Sequence, residues 1–506
     1  MPRSIFPTSR RYRGPNSNSR GAPRASRRGG MTDTDRKGGS PHHNASPLVR
    51  MVVEDLQPLS TIERAGFRGF VRALNLGHDI PKGISSLRSE LLQLYGLVKR
   101  DVKASLRSAV DVVLTSETWT RETETYQTVG CHFIDHKWEL KSYVLETKEL
   151  TGRHTEDEIF NQLWTISQEW EIREKIHAVV MNKPNILPPG SGWAYFPCFA
   201  YTLDRVFKKA LTPANKVLLE SYHKAARCLH LESSTTDEPN DSLPPYQLML
   251  SGHIGWTAAL NMLEKISIDH NSLDKKGLAY VNNTVSALRL FEDATKDMSQ
   301  QKYVSVSCII PLARLLKGKL QEQAQSGNEI AARLGEMLTQ HFKDIEMNFK
   351  LVASTTLDAR FKDSVLTGYS STDQSRRKLL NKILNLGKAS QSTCTTPAPP
   401  EECQGGLWKE FDKESACEEE LRRYTAKEKI PRNGNPLSWW RSQNDEFPNL
   451  KRGARRYLGI VCTCVPPARA FSKAGHVFSL RQLSLEPENI NVMLFLNHNG
   501  VVAQEA

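Results

Sequence analysis

The sequence predicts a mixed α/β core that gives way to a long helical stretch and closes in a helical C-terminal unit. Three observations carry this expectation. Short β-rich runs recur between residues 109 and 181, apolar residues at spacings of three and four dominate from about 200 to 350, and a Ser/Thr/Pro/Gly-rich stretch at 388–406 precedes an aromatic-rich end at 407–500.

The elements follow in order. Residues 1–45 are rich in Arg, Ser, Gly and Pro. They cannot bury enough apolar surface to offset chain entropy, so a disordered arm is expected. A helical region is expected over 46–108. Val49–Gln57 reads as a helix stopped by Pro58, Thr61–Phe70 continues the apolar stripe, and Ser85 or Ser86 caps a helix through about Leu106 with Leu87, Leu91, Leu92, Leu94, Tyr95 and Val98 buried. The pattern then changes period. Val110–Thr115, Tyr126–Ile134 and Trp138–Leu145 read as strands, the last two joined by a tight turn at Asp135-His136-Lys137. A helix at 155–170 and a strand at Ile176–Met181 follow. Three strands, a helix and a further strand suit the start of a ribonuclease-H-like sheet, placed at 109–205. A helical insertion is expected over 206–387, with helices at Tyr201–Leu211, Asn215–Leu229 and Val304–Leu320 and a long helix from Asn328 through Phe349. Pro311 should kink the third or mark its true start. A polar loop lies at 231–245, a flexible linker at 388–406, and the final unit at 407–500 completes the core.

Composition narrows the function classes. Of the net charge of +12, ten Arg/Lys and two Asp in residues 1–40 contribute +8, which leaves +4 for the rest. A basic arm on a near-neutral body suits phosphate contact without base readout, through Arg10, Arg11, Arg13, Arg27 and Arg28, and also suits nuclear import. Lys208-Lys209, Lys451-Arg452 and Arg455-Arg456 are further basic candidates or solvated helix faces. No run of about 18 uncharged apolar residues indicates a membrane span, and no apolar signal region is evident at the start. The nine cysteines include no C-x-x-C pair, which points to reduced thiols. His42-His43 lack thiol partners, and Cys462-Thr463-Cys464 is too close for a zinc bite and reads as buried core.

The C-terminal end holds the most specific signal. It reads Asn435-Pro436-Leu437-Ser438-Trp439-Trp440, Phe447-Pro448, Ala454-Arg455-Arg456-Tyr457-Leu458, Pro467-Ala468-Arg469-Ala470-Phe471-Ser472 and Leu494-Phe495-Leu496-Asn497. This resembles the C-terminal dimerisation region of hAT-superfamily transposases, and Leu357-Asp358-Ala359-Arg360-Phe361-Lys362 resembles that family's D-P-R-F-K. The resemblance runs from about residue 47 to 498 and is similar to the domesticated relatives that carry BED-type zinc fingers, although no finger spacing is found here. It implies a fold that cuts DNA with two Mg²⁺ ions held by Asp, Asp and Glu. Glu117 stands at the first position, Asn182 at the second and Ala468 at the third. The extra methylene of Glu117 displaces its oxygens, and a shift of roughly 1 Å can cost about 100-fold in rate. The family's C-x-x-H appears as Cys198-Phe199-Ala200-Tyr201, and its R-W as Gly255-Trp256.

The expectation is therefore a catalytically inactive, domesticated nuclear protein without a metal cofactor. It is expected to form a homodimer through Trp439, Trp440, Tyr457, Leu458, Phe471, Leu494 and Leu496, to contact DNA or chromatin, and to avoid membranes. The other readings are an active metal-dependent transposase with altered ligands and a dimeric protein scaffold that does not bind DNA. Asp111, Asp135, Glu139, Glu486 and Glu488 are the carboxylates that could stand in for lost ligands, or are plain surface charge.

Overall fold

The computed structural model describes residues 46–74, 83–121, 124–151, 155–183, 186–211, 259–260, 263–264, 267, 275–300, 305–367, 378–383, 406–443, 445–464 and 485–501. The arm at 1–45, the helix expected over Asn215–Leu229, the loop at 231–245 and the linker up to residue 405 lie outside the described residues. Gly406, which the sequence placed in that linker, opens a helix.

Five strands form one sheet in the order β3-β2-β1-β4-β5. They are β1 (Val112–Arg121), β2 (Glu124–Ile134), β3 (Leu140–Leu150), β4 (Ile176–Met181) and β5 (Ala194–Pro197). The first three pair antiparallel, whereas β4 joins β1, and β5 joins β4, in parallel. The β2–β3 turn closes because the Asp135 carboxylate accepts the backbone N–H groups of Lys137 and Glu139, both at 2.9 Å. A parallel return needs a long crossover. It is supplied by α4 (Glu156–Glu169), whose first turn is capped by the Thr155 hydroxyl at 3.2 Å.

Helices cover both faces. One face packs against α1 (Pro47–Glu54), α3 (Ile84–Arg107) and α4, with Leu87, Leu91, Leu94 and Val98 of α3 buried; α2 (Ala65–Leu74) lies between α1 and α3 in sequence. The other face belongs to a second core that α5 (Phe199–Leu211), α6 (Lys275–Gln300), α7 (Ile309–Gln325), α8 (Glu329–His341) and α9 (Phe349–Leu357) also build. The C-terminal region adds α10 (Gly406–Ala426), α11 (Pro436–Ser442), α12 (Pro448–Leu458) and α13 (Ile490–Leu496). β1 divides its side chains as a period of two requires: Val112 and Leu114 belong to the first core, Val113 to the second.

Several sequence expectations need correction. Ser85 and Ser86 sit inside α3, which starts after Gly83 with no side-chain cap, and Leu92 is 52% exposed rather than buried. Val110 precedes β1 and is exposed. The long helix expected from Asn328 is two helices. Asn328 caps α8, but α8 stops at His341, and Asn348 accepts the N–H groups of Lys350 and Leu351 to start α9. A short 3₁₀ turn at Ile345–Met347 lies between them. Pro311 falls in the first turn of α7 and so marks its start. Strand β5, four residues long, was not expected.

The Leu357–Lys362 stretch ties the helical region to the C-terminal region. Asp358 and Arg360 are buried and form a two-pronged ion pair, with Nε–Oδ1 at 3.0 Å and Nη2–Oδ2 at 2.7 Å. Ser307 donates to Asp358 Oδ2 at 2.7 Å. Lys362, buried at φ 53, donates to the carbonyls of Tyr424 and Lys427 at the end of α10, and burial lowers its pKa to about 8. Tyr424 Oη and Trp440 Nε1 return hydrogen bonds to the carbonyls of Thr356 and Leu357, at 2.9 and 2.8 Å.

The chain end closes over the β3 edge. Asn499 accepts the Val144 N–H at 3.0 Å and donates to the Val144 carbonyl at 2.7 Å, and Asn491 accepts the Thr147 N–H at 2.9 Å. Asn497 donates to the carbonyl of Val53 in α1 at 2.9 Å.

Two stability predictions follow from these contacts. Asp358→Ala leaves the Arg360 charge buried without its carboxylate and is expected to destabilise by about 3–5 kcal/mol in urea denaturation; a change under about 1 kcal/mol would refute the anchoring role. Asn499→Ala strips two backbone groups of their partner and is expected to cost about 1–3 kcal/mol in the same measurement.

Candidate functional site

Parallel neighbours deliver their C-terminal ends to one place. The β1–β4 ladder pairs Ser116 with Met181, so Glu117 and Asn182 emerge side by side at the same end of the sheet. Asn182 Nδ2 reaches toward the Thr118 carbonyl and hydroxyl at 3.4 and 3.5 Å. The start of α5 hangs from this end as well, because Cys198 N–H donates to the Met181 carbonyl at 2.9 Å. That hydrogen bond places Tyr201 over the site, and its hydroxyl donates to Glu117 Oε1 at 3.4 Å.

The C-terminal region reaches the same corner. Phe199 N–H donates to the Cys462 carbonyl at 2.9 Å, and Cys464 N–H donates to Cys198 Sγ at 3.3 Å. Cys464 is therefore the last described residue before Ala468, which lies outside the described residues together with Phe471, Gly255-Trp256 and the arm residues Arg10, Arg11, Arg13, Arg27 and Arg28.

Burial makes charge costly at this corner, most plainly at Tyr201 and Cys464. Burial, then the Glu117 charge, pushes the Tyr201 phenol far above its ordinary range, so it stays protonated and remains a donor. Burial would raise Cys198 as well, but the Cys464 thiol and the N–H groups of Tyr201, Cys464 and Ala200 outweigh it and hold Cys198 below its ordinary value. Cys464 is held well above, first by burial and then by its contacts with Cys198 and the Glu117 charge. Cys462 is buried core, as its spacing from Cys464 implied.

These side chains do not fit a pair of Mg²⁺ ions. Hard divalent cations need several anionic oxygens. Here the one carboxylate is 8% exposed and accepts a phenol hydrogen, while Asn182 turns its N–H₂ group toward Thr118. Among the described residues, no three of His, Cys, Asp and Glu gather in a metal-holding arrangement. The carboxylates considered as stand-ins have work elsewhere. Asp111 pairs with Arg456, Asp135 caps its turn, Glu139 pairs with Lys141 at 2.7 Å, Glu486 accepts from Leu59 N and Ser60 Oγ, and Glu488 pairs with Arg88 at 2.8 Å.

The side chains expected at a dimer contact are placed otherwise. Trp440, Tyr457, Leu458, Leu494 and Leu496 are buried within the chain itself, because they hold the C-terminal helices onto the two cores. Trp439 is half-buried and stacks with Phe447 at 6.3 Å. Of the basic candidates, Lys208 pairs with Asp204, Arg455 lies over the Trp138 ring at 4.9 Å, and Arg456 is held by Asp111. Sequence reasoning found the Tyr201 substitution but not its bond to Glu117; the C-x-x-Y spacing at the head of a helix was the available signal.

Tyr201→Phe removes a hydrogen bond to a buried carboxylate and is expected to cost about 1–3 kcal/mol of stability by urea denaturation. Unchanged stability would mean that other partners suffice to hold Glu117.

Two stretches of the chain match known family models. Residues 420–499 match the hAT family C-terminal dimerisation region, and residues 115–187 match the ZBED1 RNase-like domain. Along 92% of its length the chain is 21% identical to zinc finger BED domain-containing protein 4 of Homo sapiens, covering 44% of that protein. It is 19% identical to zinc finger BED domain-containing protein RICESLEEPER 3 of Oryza sativa subsp. japonica, over 92% of the chain and 70% of the relative. It is 20% identical to the putative AC transposase of Zea mays, over 86% of the chain and 62% of the relative. The chain thus spans less than half of the first relative and about two thirds of the others.

Proposed function

We propose, for a chain that is an hAT-superfamily transposase-derived protein similar to the BED-type zinc-finger relatives, the role of a catalytically silent, homodimeric, nuclear regulator associated with DNA or chromatin. The five-stranded sheet is taken as ribonuclease-H-like, with α6–α9 as its helical insertion and the basic arm as a phosphate-contacting tail.

The observation that carries silence is the arrangement at the C-terminal ends of β1 and β4. Phosphodiester cleavage by two metal ions needs converging carboxylates. Glu117 instead receives a phenol hydrogen from Tyr201, and Asn182 offers a neutral amide. Asn182 carries no charge, and the Tyr201 hydroxyl occupies one oxygen of the Glu117 carboxylate. The match of residues 420–499 to a dimerisation region supports the homodimer. Among the described residues no helix is long and apolar enough to cross a membrane.

DNA binding by the full chain and by a chain lacking residues 1–45, followed across a salt series, tests the reading. Binding to duplex DNA that persists at physiological salt is expected for the full chain, without Mg²⁺-dependent nicking. Metal-dependent nicking that disappears in Glu117→Ala would overturn silence. Binding that vanishes with the arm would leave the folded body without a nucleic-acid role. A monomeric mass by light scattering at micromolar concentration would overturn the dimer.

A further inference from the structure

At the opposite end of β1 and β4 from Glu117 the chain gathers cations. Asp111 immediately precedes β1, and His177 is the extra residue where the β1–β4 register slips between Val112 and Val113. With strands rising about 3.3 Å per residue, this end lies roughly 17 Å from Glu117. Lys350, in the first turn of α9, donates to the His177 carbonyl at 2.7 Å. Lys378 and Lys382, on the helical segment 378–383, approach the Phe349 ring at 5.9 and 5.0 Å. Arg456 arrives from α12, where it pairs with Asp111.

Close packing fixes these elements against each other. A Cβ on Gly453 of α12 would come within 2.7 Å of the Ile383 side chain, so a larger residue there would push Ile383 and segment 378–383 away from α12. The cations are thereby held together while Lys378 and Lys382 remain exposed.

We infer that Lys350, Lys378, Lys382 and Arg456 form a phosphate-binding site at this end of the sheet, and that its ligand is a backbone phosphodiester of nucleic acid. The inference rests on the nucleic-acid reading proposed above. Like charges packed this closely repel, and the nearest carboxylate, Asp111, is already committed to Arg456. Burial first, then Arg456 and Lys382, bring the Lys350 pKa down to about 8, a cost that a bound anion relieves. His177 beside them is buried, and neither of its ring nitrogens has a hydrogen-bond partner. Arg452, exposed on α12, extends the positive strip beyond what one free phosphate would occupy.

The test uses the full chain and the double variant Lys378→Ala/Lys382→Ala, which keeps good helix formers at two exposed positions. Duplex DNA affinity is followed by fluorescence anisotropy across a salt series, and pyrophosphate binding by calorimetry. The variant is expected to reduce the slope of log K against log salt by about 2, near 0.9 per lost phosphate contact, with a melting temperature unchanged from the parent. Lys350→Met should weaken both ligands too. An unchanged slope and affinity, with the parent binding DNA, would overturn the site while leaving the DNA reading intact. Pyrophosphate binding that the variant loses, with no DNA binding by either protein, would uphold the oxyanion site, assign it to a free phosphate and overturn the DNA reading. Absence of both ligands from the parent would overturn both.

Discussion

Three buried charges within five residues, Asp358, Arg360 and Lys362, hold the helical region to the C-terminal region. Their energetics are unforgiving, since a desolvated charge is tolerable only with its partner in place. Arg360 has both prongs on Asp358, Asp358 also takes the Ser307 hydroxyl, and Lys362 finishes the open carbonyls of α10. The aromatic cluster around Tyr424, Trp440 and Phe447 packs on this frame. Trp138 then stacks on Trp440 at 6.1 Å and links the β2–β3 turn to the same cluster.

The corner around Glu117, Asn182 and Tyr201 is positioned by contacts local to it. It is held by backbone hydrogen bonds from Cys198 and Phe199 and by close contact of two thiols, none of which needs a metal ion. Where the resemblance expects a histidine, the Tyr201 phenol donates to the Glu117 carboxylate and so compensates its burial.

Much of this was legible in the sequence, and the failures have physical causes. The β2–β3 hairpin, α4 and the start of α8 at Asn328 followed from period and turn signals. The break after His341 was hidden because Phe342, Ile345 and Phe349 continue the helical spacing across it, while the chain turns and restarts on Asn348. Strand β5 is too short for any period to register, and it exists because β4 offers it a parallel edge. At the site, the substituted positions 117, 182 and 201 could be read only through the family resemblance. Their meeting could not be read, because it depends on the tertiary placement of α5. Five of the apolar side chains assigned to a dimer contact, Trp440, Tyr457, Leu458, Leu494 and Leu496, are buried within the chain, and composition cannot separate core from interface when both are apolar.

The asparagines at the chain end have a consequence beyond stability. β3 is a long edge strand, and an uncovered edge is a template for another chain. Asn491 and Asn499 occupy its open backbone groups at Thr147 and Val144. A chain cut short before Asn491 would lose this shield while retaining the rest of the sheet. Such a product would also lose the buried Met493, Leu494, Phe495 and Leu496, so a late stop codon would weaken the fold and leave it adhesive at once.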